Sequence, residues 1–255
     1  MSRFQPFPLI ALVVSAVMAL SAVSASAQQA TAPASPAPPG LQALREGIAA
    51  FQQGDIAAAT AAFERAAEQG NAQAQFNLGV IHDQGIGGPE DDAKAAAWYQ
   101  QAAAQGDVQA QYNLALLYDA GSGVAQDRAQ AFHWYREAAR RGVPQAQYNV
   151  GLMYEHGEGV PRSMPDALDW YQQAAALGHA KAQVNLGSLY RTGEAGPRDL
   201  MRAHLWMSRA AAQGIEVAKQ TLPLIEAEMT PEQRIQAQQA AQADTAPNAG
   251  AGGSQ

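Results

Sequence analysis

The sequence predicts an all-α protein, an α/α solenoid of stacked helix-turn-helix units with helical caps. Two observations carry that expectation. Glycines stand at 70, 106, 142 and 178, 36 residues apart each time, and each is followed at the same distance by Asn77-Leu78, Asn113-Leu114, Asn149-Val150 or Asn185-Leu186. A fixed period of roughly 20 to 50 residues marks a repeat array, in which one supersecondary unit is stacked because it cannot bury its apolar face alone. Inside each unit the apolar residues recur at helical spacing, as in Ala74, Leu78 and Ile81, the pattern of one buried stripe.

Residues 1–27 read as a signal peptide. Arg3 supplies a weak positive start, Phe7 to Leu20 an apolar run, and Ala25-Ser26-Ala27 a small-x-small site with the cut after Ala27. The run is shorter than the roughly 18 to 20 residues that span a bilayer. No other segment is apolar enough, so no membrane span is expected after cleavage. Residues 28–40, with prolines at 33, 36, 38 and 39, read as an extended linker that buries too little apolar surface to offset chain entropy.

Residues 41–69 read as a degenerate hairpin capping the N-terminus of the stack, with Gly54-Asp55 at its turn and Ala62, Phe63, Ala66 and Ala67 on its second helix. Four full units follow, at 70–105, 106–141, 142–177 and 178–213. In each, a helix A begins after the opening glycine and ends at Gly85, Gly121, Gly157 or Gly193, where a residue free to turn left-handed closes a helix C-terminus. Asp91, Asp127, Ser163 and Asp199 share the next marked position and suit the N-cap of a helix B. That second helix carries Trp98-Tyr99, Trp134-Tyr135, Trp170-Tyr171 and Trp206-Met207, each followed by paired alanines. Residues 214–242 read as C-terminal capping helices. The last of them opens on Thr230-Pro231-Glu232-Gln233, which has the form of a capping box with proline at the first helical position. Residues 243–255 (ADTAPNAGAGGSQ) read as a disordered tail.

The unit G-[DN]-x-x-A-Q-x-N-[LV]-[GA]-x-x-Y-x-x-G-x-G-V-x-x-[DS]-x-x-x-A-x-x-W-Y-x-x-A-A-x-x-G resembles the Sel1-like repeat, a relative of the tetratricopeptide repeat. Departures are local: His82 stands for the tyrosine, Gly88 and Gly196 for the valine, Ala195 for the second glycine and Met207 for the tyrosine after tryptophan. The fourth turn is therefore where the geometry is expected to differ most. The resemblance implies a solenoid that acts as an adaptor for protein complexes. Cysteine-rich members of the family are linked to β-lactam chemistry, which is not carried over to a chain with no cysteine.

Internal copies separate scaffold from site. Residues shared by every copy serve packing, whereas exposed positions that vary can read a ligand. The amides of Asn77, Asn113, Asn149 and Asn185 are open to both readings, since they can bond a bound peptide or hold one hairpin to the next. With Leu78 at the buried centre and about 100° per residue, the far side of helix A carries Phe76, Val80 and Asp83, then Tyr112, Leu116 and Asp119, then Tyr148, Leu152 and Glu155, and finally Lys181 and Arg191. Related solenoids line a concave surface with helix A. On that model these residues form a groove with an aromatic ridge and an acidic row that turns basic in the fourth copy, suited to an extended peptide or a partner helix. The alternative is that the aromatics pack on the neighbouring hairpin and the acids are only solvated.

Other chemistries find little support. The net charge of −7 with 16 Lys and Arg argues against nucleic acid, which needs a clustered basic surface. The chain holds no Gly-x-Ser-x-Gly, Ser-x-x-Lys, phosphate-loop or His-Glu-x-x-His pattern, which leaves no candidate catalytic residue. The five histidines lack metal-ligand spacing, and no cofactor is implied. The expected protein is a periplasmic or secreted, non-enzymatic binder of an unidentified protein or peptide; the alternative is a cell-wall factor that binds or hydrolyses peptidoglycan or a β-lactam.

Overall fold

The computed structural model describes residues 39–245; the expected signal peptide, most of the linker and the end of the tail lie outside that range. Among the described residues twelve helices follow one another: α1 (Leu41–Gln52), α2 (Ile56–Glu68), α3 (Ala72–Asp83), α4 (Asp92–Ala104), α5 (Val108–Ala120), α6 (Arg128–Arg140), α7 (Pro144–His156), α8 (Met164–Ala176), α9 (Ala180–Thr192), α10 (Leu200–Ala212), α11 (Glu216–Glu228) and α12 (Pro231–Thr245). Each packs on its neighbours in sequence as far as α11. The result is a stack of hairpins, the α/α solenoid that the period requires.

Capping accounts for the helix boundaries. Asp55, Asn71, Asp91, Asp107, Asp127 and Asp199 each accept a backbone N–H from the first turn of the helix they open, satisfying donors that the helix leaves free. At the last helix, Thr230 and Gln233 exchange bonds of 3.2 and 3.0 Å, the reciprocal pattern of a capping box. Two boundaries differ from expectation. Pro39 and Gly40 are not free linker: Asn71 donates to the Pro39 carbonyl at 2.9 Å, and Gly40 lies so close to Ala66 that a Cβ would meet its carbonyl oxygen at 2.7 Å. α12 runs to Thr245, three residues into the stretch read as tail.

Helix A is wedged between two B helices, and its sequence serves both. One face, Ala74, Leu78 and Ile81 on α3, joins the core of the preceding α2 with Phe63, Ala66 and Ala67. The other face meets the helix B of its own hairpin, and there Gly79 receives the Tyr99 ring so closely that a Cβ would stand 2.5 Å from it. Gly47 against Phe63, Gly151 against Tyr171 and Gly187 against Met207 repeat the arrangement. Among the described residues no helix precedes the first. Accordingly only one of its faces is apolar, with Ala43, Leu44, Gly47 and Ile48 buried.

A buried glutamine ties each helix A to the B helix before it. Gln75, Gln111, Gln147 and Gln183 donate through Nε2 to the carbonyls of Ala67, Ala103, Ala139 and Ala175 at 3.1 to 3.3 Å. Their acceptor oxygens fare unequally. Gln105 donates to Gln75 at 2.6 Å and Gln213 to Gln183 at 2.8 Å, whereas Gln111 Oε1 and Gln147 Oε1 have no protein partner. The position that supplies the donor, thirty residues on, is Arg141 in the second unit and the exposed Leu177 in the third. A buried acceptor left without a bond costs about 1 to 3 kcal/mol. Leu177→Gln is therefore expected to raise the unfolding free energy by about 1 kcal/mol, read as a higher urea midpoint at unchanged m-value; a lower midpoint would refute the assignment.

Candidate functional site

The structure sorts the residues of the expected groove into three groups. Phe76 is withdrawn from the surface: it is 6% exposed, with its ring 5.9 Å from that of Tyr99. It lies on the face that meets its own helix B, and burying such a ring is worth about 2 kcal/mol. Tyr112 and Tyr148 sit at the same place in the next copies but remain half-buried, 5.8 Å from Tyr135 and Tyr171 respectively. Val80, Leu116 and Leu152 are also half-buried, against three successive cores. These five residues make an apolar strip, one side in the core and one side open.

The acids are not merely solvated. Asp83 accepts the Tyr99 hydroxyl at 3.1 Å and Glu155 that of Tyr171 at 2.5 Å, while Asp119 is bonded by the Arg128 guanidinium, whose nearest other carboxylate is Glu158 at 3.4 Å. Burial pushes the Asp83 carboxyl above its usual range, against the lowering effect of the Tyr99 hydroxyl. Burial also raises the phenols of Tyr99, Tyr135 and Tyr171, and the nearby carboxylates raise them further. From the other side the amide of the following copy acts on each phenol: Asn113 on Tyr99, Asn149 on Tyr135 and Asn185 on Tyr171. These three asparagines therefore have a structural use. Asn77 faces the cap, whose helix B carries Phe63 in place of tyrosine, and it accepts instead from Gln73 on its own helix at 3.1 Å.

The switch to basic in the fourth copy has the same cause. Met207 replaces the tyrosine, no hydroxyl remains to be accepted, and the acid position becomes Arg191. Arg191 reaches Glu228 of α11 at 2.6 and 3.0 Å, so it braces the C-terminal end of the stack. Lys181 is exposed on α9. Of the residues expected in a groove, those that keep exposed surface without a structural partner are thus the apolar strip and Lys181, with the acids beside them. The pairing of tyrosine with acid was visible in the sequence, since both change together in the fourth copy.

A family model described as "Sel1 repeat" matches residues 50–71, 72–107, 108–143, 144–179 and 180–215, well over half of the chain. The chain belongs to the Sel1 repeat family. The first matched segment includes α2, which places the cap within the same repeat series. Among solved structures, a Sel1 repeat protein from Oxalobacter formigenes is 26% identical, covers 91% of this chain and 98% of its own, and has a TM-score of 0.68. The protective antigen c5321 of uropathogenic Escherichia coli, described as displaying an SLR fold, is 30% identical with a TM-score of 0.53. That match covers 80% of this chain and 52% of the antigen, so the chain spans about half the antigen's length. No curated protein matches the sequence. Sel1 repeats as a rule bind other proteins, and their solenoids are generally scaffolds without catalytic activity. No helix among the described residues is long and apolar enough to cross a membrane.

Two outcomes test the packing of this face. Tyr171→Phe removes the hydroxyl that serves Glu155, leaving a partly buried carboxylate without its donor. Unfolding in urea is expected to become easier by about 1 to 2 kcal/mol, whereas an unchanged midpoint would mean that the bond adds nothing. At the start of α9, His179 takes the N-cap position and accepts the Ala182 N–H through Nδ1 at 3.2 Å, with its ring 4.6 Å from Tyr148. Burial, and then Lys181, lower its pKa below the usual histidine value. A folded pKa below the unfolded one means stability present above about pH 6.5 and lost as pH falls through the folded value. His179→Asn, the residue used at Asn71, is expected to flatten the dependence of the melting temperature on pH between about 7 and 5; an identical slope in both proteins would contradict this.

Proposed function

We propose that the protein is an exported, non-enzymatic adaptor that binds a partner protein along its row of A helices. The observation that carries this reading is the half-open strip of Val80, Tyr112, Leu116, Tyr148 and Leu152, which crosses three repeats and is edged by Asp83, Asp119 and Glu155. Each of these side chains gives one side to the core and keeps the other for a ligand, so the strip is rigid before anything binds. A rigid surface loses less entropy on association than one that must be ordered. Apolar side chains at repeated spacing with acids beside them suit an extended peptide or an amphipathic helix whose flanks are basic. Lys181, beyond the acidic stretch, gives the row a polarity that fixes the direction of such a ligand. Export rests on residues 1–27, whose sequence has the form of a cleavable signal.

Photo-crosslinking reads the face directly. Gln109 and Lys181 are exposed on A helices, and Asp169 and Gln173 are exposed on helix B of the third repeat. A crosslinking residue at Gln109 or Lys181, in cells expressing the full chain, is expected to capture one discrete species that positions 169 and 173 do not. Equal capture from all four positions, or none from the first two, would overturn the helix A assignment. Intact-mass measurement of the same purified protein checks export, with Gln28 expected as the first residue.

A further inference from the structure

A cavity of about 290 Å³ lies beside the fourth turn, with Leu168, Leu189, Gln172, Tyr190, Asp199 and Arg202 among the residues that line it. Comparison of the copies shows what makes it. In the second and third repeats the turn holds Val124 and Val160, both half-buried against their cores. In the fourth that position is Gly196, and a Cβ built there meets nothing within 4 Å. The first repeat also has a glycine there, Gly88, but Ile86 of the same turn packs into the core instead; the residue matching Ile86 in the fourth is the exposed Glu194. On the helix B of the preceding repeat, the turn of the third copy adjoins Phe132, which stands edge-on to Tyr154 at 5.2 Å, whereas the turn of the fourth adjoins the smaller Leu168. Relative to the third copy two side chains are smaller at this point, while the second pairs its valine with the small Ala96.

The backbone of the turn differs as well. Gly159 approaches helix B of the preceding repeat so closely that a Cβ would stand 2.2 Å from the Arg128 carbonyl oxygen, so an alanine cannot take that position, and the fourth repeat has Ala195. The bonds Ser122 N–H to Leu117 and Glu158 N–H to Met153 give way to Glu194 N–H on Thr192 Oγ1 at 3.4 Å. The closing bond, Asp199 N–H to the Tyr190 carbonyl at 2.8 Å, is kept. The turn is therefore anchored at its ends and altered between them.

Two guanidinium groups and the Asp199 carboxylate belong to the lining. Arg198 is committed to Glu228 and to the Arg191 carbonyl. Arg202 lies over the Tyr190 ring at 5.4 Å, touches the Tyr190 hydroxyl at 3.4 Å and Asp199 at 3.4 Å, and is largely exposed, with donors to spare. Gln172 donates to the same hydroxyl at 2.9 Å. A planar fork held over an aromatic ring, beside a cavity lined in part by Leu168 and Leu189, is suited to a carboxylate with an apolar side chain next to it.

We propose that this cavity is a side-chain pocket for a partner protein, taking a leucine-sized residue from an acidic segment, whose neighbouring carboxylate is read by Arg202. It is separate from the helix A strip and shares no residue with it. The probe is an isotope-labelled sample of the protein titrated with acetyl-Glu-Glu-Leu-Glu-Glu-amide, the same peptide with alanine for leucine, and the same with lysine for glutamate. Saturable amide shifts confined to residues lining the cavity are expected with the first, and at least tenfold weaker binding with the other two. Gly196→Val, which restores the residue used at 124 and 160, is expected to keep the helical circular dichroism and weaken binding at least tenfold. Arg202→Gln, which leaves the cavity intact, is expected to remove the discrimination between glutamate and lysine peptides. Absence of saturable shifts, shifts at Tyr112 and Leu116 instead, or unaltered binding by Gly196→Val would each overturn the proposal. Crosslinking at Gln109 is expected to survive Gly196→Val, which separates failure here from failure of the helix A reading.

Discussion

The architecture rests on one contact, the seating of a large helix B side chain against a glycine on helix A, or against the small Ala115 in the second repeat. Tyr99 on Gly79 and Tyr171 on Gly151 bring the two helices closer than any larger residue would permit. Interiors pack at crystal-like density, and the alanines that follow each tyrosine, such as Ala102 and Ala103, are buried for the same reason. Once the hairpin is this tight, each helix A has two apolar faces and must find a second helix B. Stacking follows from that shortage. The first unit escapes it because α1 has only one apolar face, and the array ends on α11, which repeats the Ala218 and Ile225 stripe without acquiring a helix B of its own. α12 instead crosses back to pack on α10.

Polar groups carried into this interior explain why the repeat motif contains more than apolar residues. The buried phenols need partners for their hydroxyls. Helix A supplies an acid from the same hairpin to Tyr99 and Tyr171 and an amide from the next to each phenol, and the buried glutamine satisfies a carbonyl at the end of the preceding helix B. Each of these links crosses from one helix to another, so the register between hairpins is fixed by directional bonds as well as by volume. The same side chains stand at the edge of the apolar strip. A surface built in this way is stiff because the residues that edge it are also structural ones.

The period, the helix boundaries, the caps and the paired alanines were legible in the sequence because each follows from a local rule that four copies state four times. The place of Phe76 was not. Measuring angles from Leu78 treats helix A as having one buried side, which suits a helix on the surface of a globule, whereas a wedged helix has two. Gly79 was the sign of the second: a glycine inside a helix weakens it unless something large must come near. The distinction between Phe76 and the half-buried Tyr112 and Tyr148 had no sequence signal beyond the hydroxyl, which favours a position from which water or a polar group can be reached. The glutamine of the Ala-Gln-x-Asn segment was visible as shared, but its carbonyl partner sits on another helix and is set only by the stack.

The fourth repeat departs from the others at several positions, and these are linked. Loss of the helix B phenol at Met207 frees the acid position, Arg191 takes it and reaches Glu228, and Arg198 of the altered turn bonds the same carboxylate. The end of the solenoid is thus fastened by two arginines on one glutamate, in a place where an internal repeat would be fastened by the next hairpin. Exposed ion pairs are worth little one at a time, but two guanidiniums converging on Glu228 fix the angle of α11 against α9 and with it the position of the turn between α9 and α10. The valine that internal turns use to seal against the neighbouring core is then not needed to hold this one. A turn secured from outside can leave its inner side empty, which is the condition for a cavity to persist at the edge of the array.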